Sequence, residues 1–165
     1  MFTPVYTGGL AEKEMFGGLK RYPPPKREEY ISYKKSMEIV RRCQPWENFS
    51  DPDPRFANDL HAKIADLLGL GDYKILKFYT AVGSHLDKFH GIDAFFEYDC
   101  GDKTITITLD VTINPRKGEE YKADVVFYFP ADGLDPEIDK KEYLEKIGKV
   151  AQSVVEEINL KSRGN

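Results

Sequence analysis

Two aspartates in predicted strands could hold a divalent metal ion. Asp93 opens one strand directly after Gly91 and Ile92, and Asp110 lies late in the following strand among uncharged neighbours. A hard cation such as Mg²⁺ prefers oxygen ligands and keeps several waters, so two carboxylates and a backbone carbonyl are enough to hold it. A metal bound in this way lowers the pKa of a bound water and stabilises charge that develops on a phosphodiester. Asp93 and Asp110 are therefore candidate ligands for Mg²⁺ or Mn²⁺.

The same aspartates also have an ordinary structural interpretation. Asp93 could simply begin a strand after a glycine turn, and Asp110 could be one more polar side chain on a threonine-rich, solvated face. Structural carboxylates far outnumber catalytic ones, so both interpretations stand. A third interpretation is a site for a softer metal such as Zn²⁺ or Mn²⁺. Its ligands would come from His85, Asp87, His90 and Asp93, which lie within nine residues, although their spacing matches no closed metal motif.

A period-two pattern predicts the strand that carries Asp110. From residue 104 to 113 the odd-numbered side chains are Ile, Leu or Val, and the even-numbered ones are Thr or Asp. Such alternation indicates one packed face and one polar face. β-rich segments predict further strands at 73–82, 92–98 and 122–129, and the short Gly-containing stretch 99–102 predicts an antiparallel hairpin between the second and third strands.

Helices are predicted around these strands, at 26–43, about 54–68 and about 139–160. With 165 residues, 41% of them hydrophobic, the chain suits one domain. We divide it into an irregular N-terminal arm (1–25), an additional helix and linker (26–53) and an α/β core (54–165). The predicted fold class is α/β, bordering on α+β. A mixed four-stranded sheet is flanked by the second and third helices, and the first helix is added outside.

The order helix, strand, strand, strand, with Gly91-Ile92-Asp93 and Leu109-Asp110-Val111-Thr112, resembles the PD-(D/E)XK nuclease superfamily over about residues 54–113. The resemblance implies a restriction-endonuclease-like core, Mg²⁺-dependent hydrolysis of DNA and Asp93 and Asp110 as metal ligands. It also implies a lysine two residues after the second acidic residue, to help activate water. That position is Thr112, which cannot supply a positive charge.

Two further features follow from comparison with the superfamily's pattern. Asp59, on the helix before the first strand, is a further candidate acidic residue, because that helix carries one in many members. The superfamily normally places a helix between its third and fourth core strands, and the connection here is too short for a crossover helix.

A substitute for the missing lysine can be chosen from strand geometry. If the third and fourth strands form a hairpin with Thr112 opposite Lys122, then Asp110 lies opposite Asp124. Lys122 would then act as the catalytic lysine and Asp124 as a third metal ligand. A register slip of one residue would move both side chains to the other face. Lys117 and Lys88 are weaker candidates for the same role.

Positive charge is concentrated near the start of the chain. The net charge is -4, yet residues 13–42 hold nine Lys or Arg against four Glu. We expect this basic segment to contact DNA phosphates, although a solvated helix face would give the same pattern. A homodimer is compatible with the sequence.

No apolar run approaches the roughly 18 residues that span a bilayer, and the N-terminal segment lacks a basic stretch followed by an apolar one. We therefore expect a cytoplasmic protein without membrane contact. Its predicted function is that of a Mg²⁺-dependent endonuclease with Asp93, Asp110 and Lys122 as catalytic residues. The alternative is a non-catalytic nucleic-acid-binding or assembly domain on a degenerate scaffold, which Thr112 favours.

Overall fold

A computed structural model describes residues 8–20, 22, 30–113 and 122–163. Its helices are α1 (Gly8–Phe16), α2 (Tyr33–Arg42), α3 (Arg55–Leu68), α4 (His85–His90) and α5 (Lys140–Arg163). Its strands are β1 (Leu76–Thr80), β2 (Ala94–Asp99), β3 (Thr104–Thr112) and β4 (Val125–Tyr128), and a short 3₁₀ helix (Tyr73–Ile75) precedes β1. They form one sheet in the order β1-β2-β3-β4. The predicted class, a mixed four-stranded sheet flanked by helices, is confirmed.

Helices cover both faces of the sheet. On one face, the core combines Leu60 of α3 and Val154 of α5 with Ile107 of β3. On the other face, Val40 of α2 and Leu86 of α4 belong to a second apolar cluster. That cluster includes Tyr79 and Phe95, which project from β1 and β2 to this side because side chains alternate along a strand. α2, the helix predicted to be added outside the sheet and its two flanking helices, helps to cover this second face.

The alternation along β3 is visible at only one end of the strand. Thr104 is exposed and Thr106 half-buried, while the intervening Ile105 is buried. Beyond this point Thr108, Asp110 and Thr112 are all buried as well. The polar side chains of β3 were predicted to be less buried than the apolar ones, and this is confirmed for Thr104 and Thr106 but not for Thr108. The solvated face in the structural interpretation of Asp110 is likewise not found, because Asp110 is buried.

The direction of β4 differs from the prediction. β2 and β3 form the expected antiparallel pair, but β4 runs parallel to β3, with Asp110 paired to Val126 and Leu109 paired to Val125. The antiparallel register that would place Asp110 opposite Asp124 was therefore wrong. An alternating pattern is the same when read in either direction, so strand direction could not be obtained from it.

Two helices were not predicted. α1 lies within the predicted irregular arm at 1–25, and α4 lies between the strands predicted at 73–82 and 92–98. α4 is bounded by local signals: the Ser84 side chain accepts hydrogen bonds from the N–H groups of Leu86 and Asp87, and Gly91, with a positive φ of 67°, ends the helix. Such short helices depend on tertiary packing for their stability. The start of α2 also differs from the prediction of a helix at 26–43. α2 begins at Tyr33, and residues 26–29 of the predicted span lie outside the described ranges.

The end of α1 offers a stability test. Gly17 has a φ of +79°, and a Cβ atom added there would lie 3.0 Å from Cζ3 of Trp46 and 3.2 Å from Cγ of Pro54. We expect Gly17→Ala to lower the free energy of unfolding by about 1–3 kcal/mol, measured by urea denaturation, because both backbone strain and overpacking oppose it. Gly18→Ala is the control, since a Cβ there meets no atom closer than 4.0 Å. Equal effects of the two substitutions would contradict this account.

Candidate metal centre

Asp93 is held at the point where β2 begins. Its N–H donates to the carbonyl of Leu109 at 2.8 Å, and its own carbonyl accepts from the N–H of Ala81 at 2.8 Å. Its carboxylate oxygen Oδ2 accepts a hydrogen bond from the N–H of Val111 at 2.9 Å. The residue is 1% exposed. Backbone groups on both sides therefore fix this carboxylate in one position.

Two further carboxylates converge on Asp93 from separate helices. Glu12 of α1, Asp87 of α4 and Asp93 each offer an oxygen, and these oxygens all lie within 4.8 Å of one another. Oδ2 of Asp87 also accepts a hydrogen bond from the N–H of Gly83 at 3.0 Å. Glu12 and Asp87 are half-buried, so solvent reaches the cluster from their side.

Asp110 is the fourth member of this acidic cluster. Its carboxyl group shares a hydrogen bond with that of Asp93, and it is buried. The start of β2 and the end of β3 meet at the same edge of the sheet because the two strands are antiparallel. The structure thus brings together the two aspartates that the sequence analysis selected as metal ligands.

The surroundings of Asp93 strongly oppose its ionisation. Burial, the neighbouring carboxylates of Glu12 and Asp87, and the hydrogen bond and charge of Asp110 together raise the pKa of Asp93 to about 11. A bound cation would offset the same accumulation of negative charge. Because all four side chains are carboxylates, the donor set fits a hard ion such as Mg²⁺ or Mn²⁺ better than Zn²⁺, which favours nitrogen and sulfur.

The other residues proposed for this site lie elsewhere. Oδ2 of Asp124 accepts hydrogen bonds from the N–H of Thr108 at 2.9 Å and from Nζ of Lys161 at 2.8 Å. Lys122 is exposed and precedes Asp124, so in the parallel pairing it lies towards the beginning of β3, away from Asp110. The geometric argument that placed Lys122 and Asp124 at the metal site therefore fails.

The histidine-containing alternative is not assembled either. Nε2 of His90 donates to the carbonyl of Ile31 at 2.8 Å, and Nδ1 of His85 is hydrogen-bonded to the hydroxyl of Tyr22. Within the described ranges, the group of candidate ligands that contains Asp87 and Asp93 is completed by Glu12 and includes no histidine.

The candidate on the helix before β1 belongs to another part of the fold. Asp59 accepts a hydrogen bond from the hydroxyl of Tyr143 at 2.7 Å and forms an ion pair with Arg55 at 3.6 Å. The hydrogen bond joins α3 to α5 on the face of the sheet opposite α4, while the ion pair lies within α3.

Thr112, at the superfamily's lysine position, is buried, and its carbonyl accepts from the N–H of Phe129 at 2.8 Å. Of the two weaker candidates for that lysine's role, Lys88 is exposed on α4, while residue 117 lies outside the described ranges.

Glu12 was missed by the sequence analysis. Its position could have been found from spacing, because Glu12, Met15 and Phe16 follow the three- and four-residue steps of one helix face, and Met15 and Phe16 are buried. The surrounding segment was interpreted as irregular, so this face was not recognised.

Much of the predicted basic segment is exposed. Lys13, Lys20, Lys34, Lys35 and Arg42 are exposed, and residues 21, 26 and 27 lie outside the described ranges. Arg41 differs, since it forms an ion pair with Glu97 at 3.2 Å and lies over the ring of Phe95. Exposed charge alone does not distinguish a DNA contact from a solvated helix.

Comparison of the chain with protein-family models, with curated proteins and with solved structures gives no match. Fold and site define a mixed α/β domain in which four carboxylates converge where β2 begins and β3 ends. None of the helices within the described ranges combines the length and apolar character that a bilayer-spanning helix needs. The PD-(D/E)XK resemblance stays a prediction from the residues that carry it.

Proposed function

We propose that this protein is a PD-(D/E)XK-like, metal-dependent nuclease that hydrolyses DNA phosphodiester bonds. The observation that carries the proposal is the convergence of Glu12, Asp87 and Asp93 within 4.8 Å, with Asp110 hydrogen-bonded to Asp93. Mg²⁺ or Mn²⁺ is the proposed cofactor, with Asp93 and Asp110 joined by Asp87 and Glu12 as ligands. A cytoplasmic location is part of the proposal, as the sequence predicts.

The four carboxylates would have different roles at such a site. Asp93 is locked by the N–H of Val111, and Asp110 is buried beside it, so these two would form the rigid inner side. Glu12 and Asp87 are half-buried and would lie at the side from which a phosphate approaches. When bound, the metal would supply an activated water and neutralise charge on the phosphate. Ligands from α1, α4 and the sheet would also keep their oxygens in place without reorganisation.

One observation favours the alternative of a non-catalytic nucleic-acid-binding or assembly domain. Thr112 stands at the lysine position of the PD-(D/E)XK pattern, and a hydroxyl there neither carries positive charge nor has a pKa suited to taking a proton from water. An active enzyme would need another group in that role. Within the part of the chain that the structure describes, the candidate for this role is Lys88, which follows Asp87 in α4.

A nuclease assay tests the proposal directly. Wild-type protein is incubated with plasmid, duplex and single-stranded DNA in Mg²⁺, Mn²⁺ or EDTA, and Asp110→Ala is purified in parallel to control for contaminating nuclease. We expect metal-dependent cleavage by the wild type and none above background by the variant, because Asp110 is hydrogen-bonded to Asp93, the most buried of the proposed ligands. Equal cleavage by both proteins would show contamination. DNA and Mn²⁺ binding by the wild type without cleavage would favour the non-catalytic alternative.

A further inference from the structure

A continuous row of aromatic rings lies beside α4, formed by residues from α4 itself, from α2 and from the segment before α2. The centroids of successive rings lie 5.6 or 5.8 Å apart. In order along the row, the rings are those of Tyr22, His85, Phe89, Tyr30, His90 and Tyr33. We call these six residues the aromatic row. Each contact lies within the range at which aromatic side chains attract one another.

The aromatic row combines buried histidine rings with exposed tyrosine rings. His85 and His90 are buried, and the hydrogen bond from His90 to the carbonyl of Ile31 holds that ring in place. Tyr30 is 68% exposed and Tyr33 45% exposed, although both rest against His90. Large aromatic side chains presented to solvent on a fixed support are typical of binding surfaces.

Positive charge borders these exposed rings. Lys34 and Lys35 follow Tyr33 in the first turn of α2, and both are exposed. Nζ of Lys88 lies 5.6 Å from the ring centroid of Phe89. Aromatic rings that stack on bases, together with cations that follow a phosphate backbone, are the features by which proteins bind single-stranded nucleic acids.

The aromatic row lies across α4 from the acidic cluster. With about 100° of rotation per residue, His85 and Phe89 occupy one flank of α4 and Asp87 the other, while Lys88 lies between them on the outer side. A helix is about 10 Å wide, which matches the length of about three stacked nucleotides. A strand that stacks on the row and crosses Lys88 would therefore reach the carboxylates.

We infer that the aromatic row is a docking surface for an unpaired DNA strand, and that the nuclease proposed above acts on DNA with a single-stranded segment. The statement about substrate rests on the proposed function, while the statement about binding does not. In a duplex the base faces are stacked on one another, and proteins reach only base edges and phosphates. Exposed rings such as Tyr30 can stack only on bases that are unpaired.

Binding can be measured without cleavage. A fluorescein-labelled oligothymidylate of about 15 nucleotides is titrated with protein in EDTA, and anisotropy gives the Kd; the same is done with a duplex of equal length. We expect Tyr30→Ala to weaken single-strand binding about 5- to 100-fold, because one stacked base contributes on the order of 1–3 kcal/mol. Tyr30→Phe, which keeps the ring, should stay within about twofold of the wild type.

A matched control and a second variant separate stacking from other effects. Tyr73→Ala removes a tyrosine that is 48% exposed but lies before β1, against His61, and it should leave the Kd unchanged. The double variant Lys34→Ala/Lys35→Ala should flatten the salt dependence of binding, by about 0.7 in the logarithmic slope for each phosphate contact that is lost. Circular dichroism would confirm that each variant is folded.

The possible results bear separately on the two proposals. An unchanged Kd in Tyr30→Ala, or equal losses in Tyr30→Ala and Tyr73→Ala, would overturn the inference even if the wild type cleaves DNA. If Tyr30→Ala instead converts a dimer into a monomer and leaves DNA binding intact, the row is a protein interface and the inference is wrong. Binding that depends on Tyr30 without any metal-dependent cleavage would support the docking surface and reject the nuclease.

Discussion

Asp93→Asn is expected to raise the thermal stability of the metal-free protein at about pH 8 and to remove the stabilisation that Mn²⁺ gives the wild type. Asn is neutral at every pH and can still accept the hydrogen bond from the N–H of Val111, so the substitution keeps the local structure and removes a carboxyl group that must take up a proton when the chain folds. We expect a gain of about 1–3 kcal/mol in EDTA, or roughly 3–10 °C in Tm for a domain of this size. Wild-type protein at about 100 times the Kd for Mn²⁺ should gain about 2.7 kcal/mol, and the variant little or nothing.

The pH dependence of this effect follows from the raised pKa of Asp93. Between its ordinary value of 3.8 and about 11, the folded state keeps a proton on Asp93 that the unfolded chain has lost. The free energy of unfolding of the metal-free wild type therefore falls as pH rises through this range. Asp93→Asn lacks this contribution, so the difference in Tm between variant and wild type should grow from about pH 5 to about pH 8.

Differential scanning calorimetry in EDTA and in Mn²⁺, at several pH values, provides the measurement. Asp124→Asn is the matched control, because Asp124 is an acidic residue beside β3 that interacts with Lys161 and Thr108. It should keep the Mn²⁺ response and show no gain in stability. A lower Tm for Asp93→Asn in EDTA, combined with an undiminished response to Mn²⁺, would show that Asp93 is not part of a metal site.

Glu12→Gln and Asp87→Asn are each expected to reduce the rate of DNA cleavage about 10²- to 10³-fold, a loss comparable to that of Asp93→Asn. The reason is that both carboxylates lie within 4.8 Å of Asp93, and a metal that loses a ligand stabilises the charge on the phosphate less by several kcal/mol. Rates are measured under single-turnover conditions with excess enzyme, so that chemistry is separated from product release.

Lys122→Ala and Asp124→Asn serve as the controls in this assay. Both residues were predicted to act at the metal site, but parallel pairing directs Lys122 away from Asp110, and Asp124 is engaged by Lys161. Their cleavage rates should remain within about threefold of the wild type, since exposed ion pairs contribute only about 0–1 kcal/mol. Inactivation by Lys122→Ala, or full activity of Glu12→Gln, would reverse this assignment of the site.

The local sequence pattern determined the elements that carry Asp93 and Asp110. Alternation along residues 104–112 predicted β3, and the short connection after β2 predicted the antiparallel hairpin, which is confirmed by the pairing of Asp99 with Thr104. A hairpin relates its two strands through a turn of only a few residues, so its register depends on neighbours in the sequence. For this reason the sequence could select the two aspartates that the structure places in contact.

Tertiary structure alone decided the rest of the site. Glu12 and Asp87 are 75 positions apart in the chain and meet only because α1 and α4 both pack beside the start of β2. The direction of β4, which removed Lys122 and Asp124 from the site, likewise depends on how the chain passes from β3 to β4. Periodicity specifies which face of an element is buried, but it does not specify the partner or the strand direction, because these depend on contacts between residues far apart in the sequence.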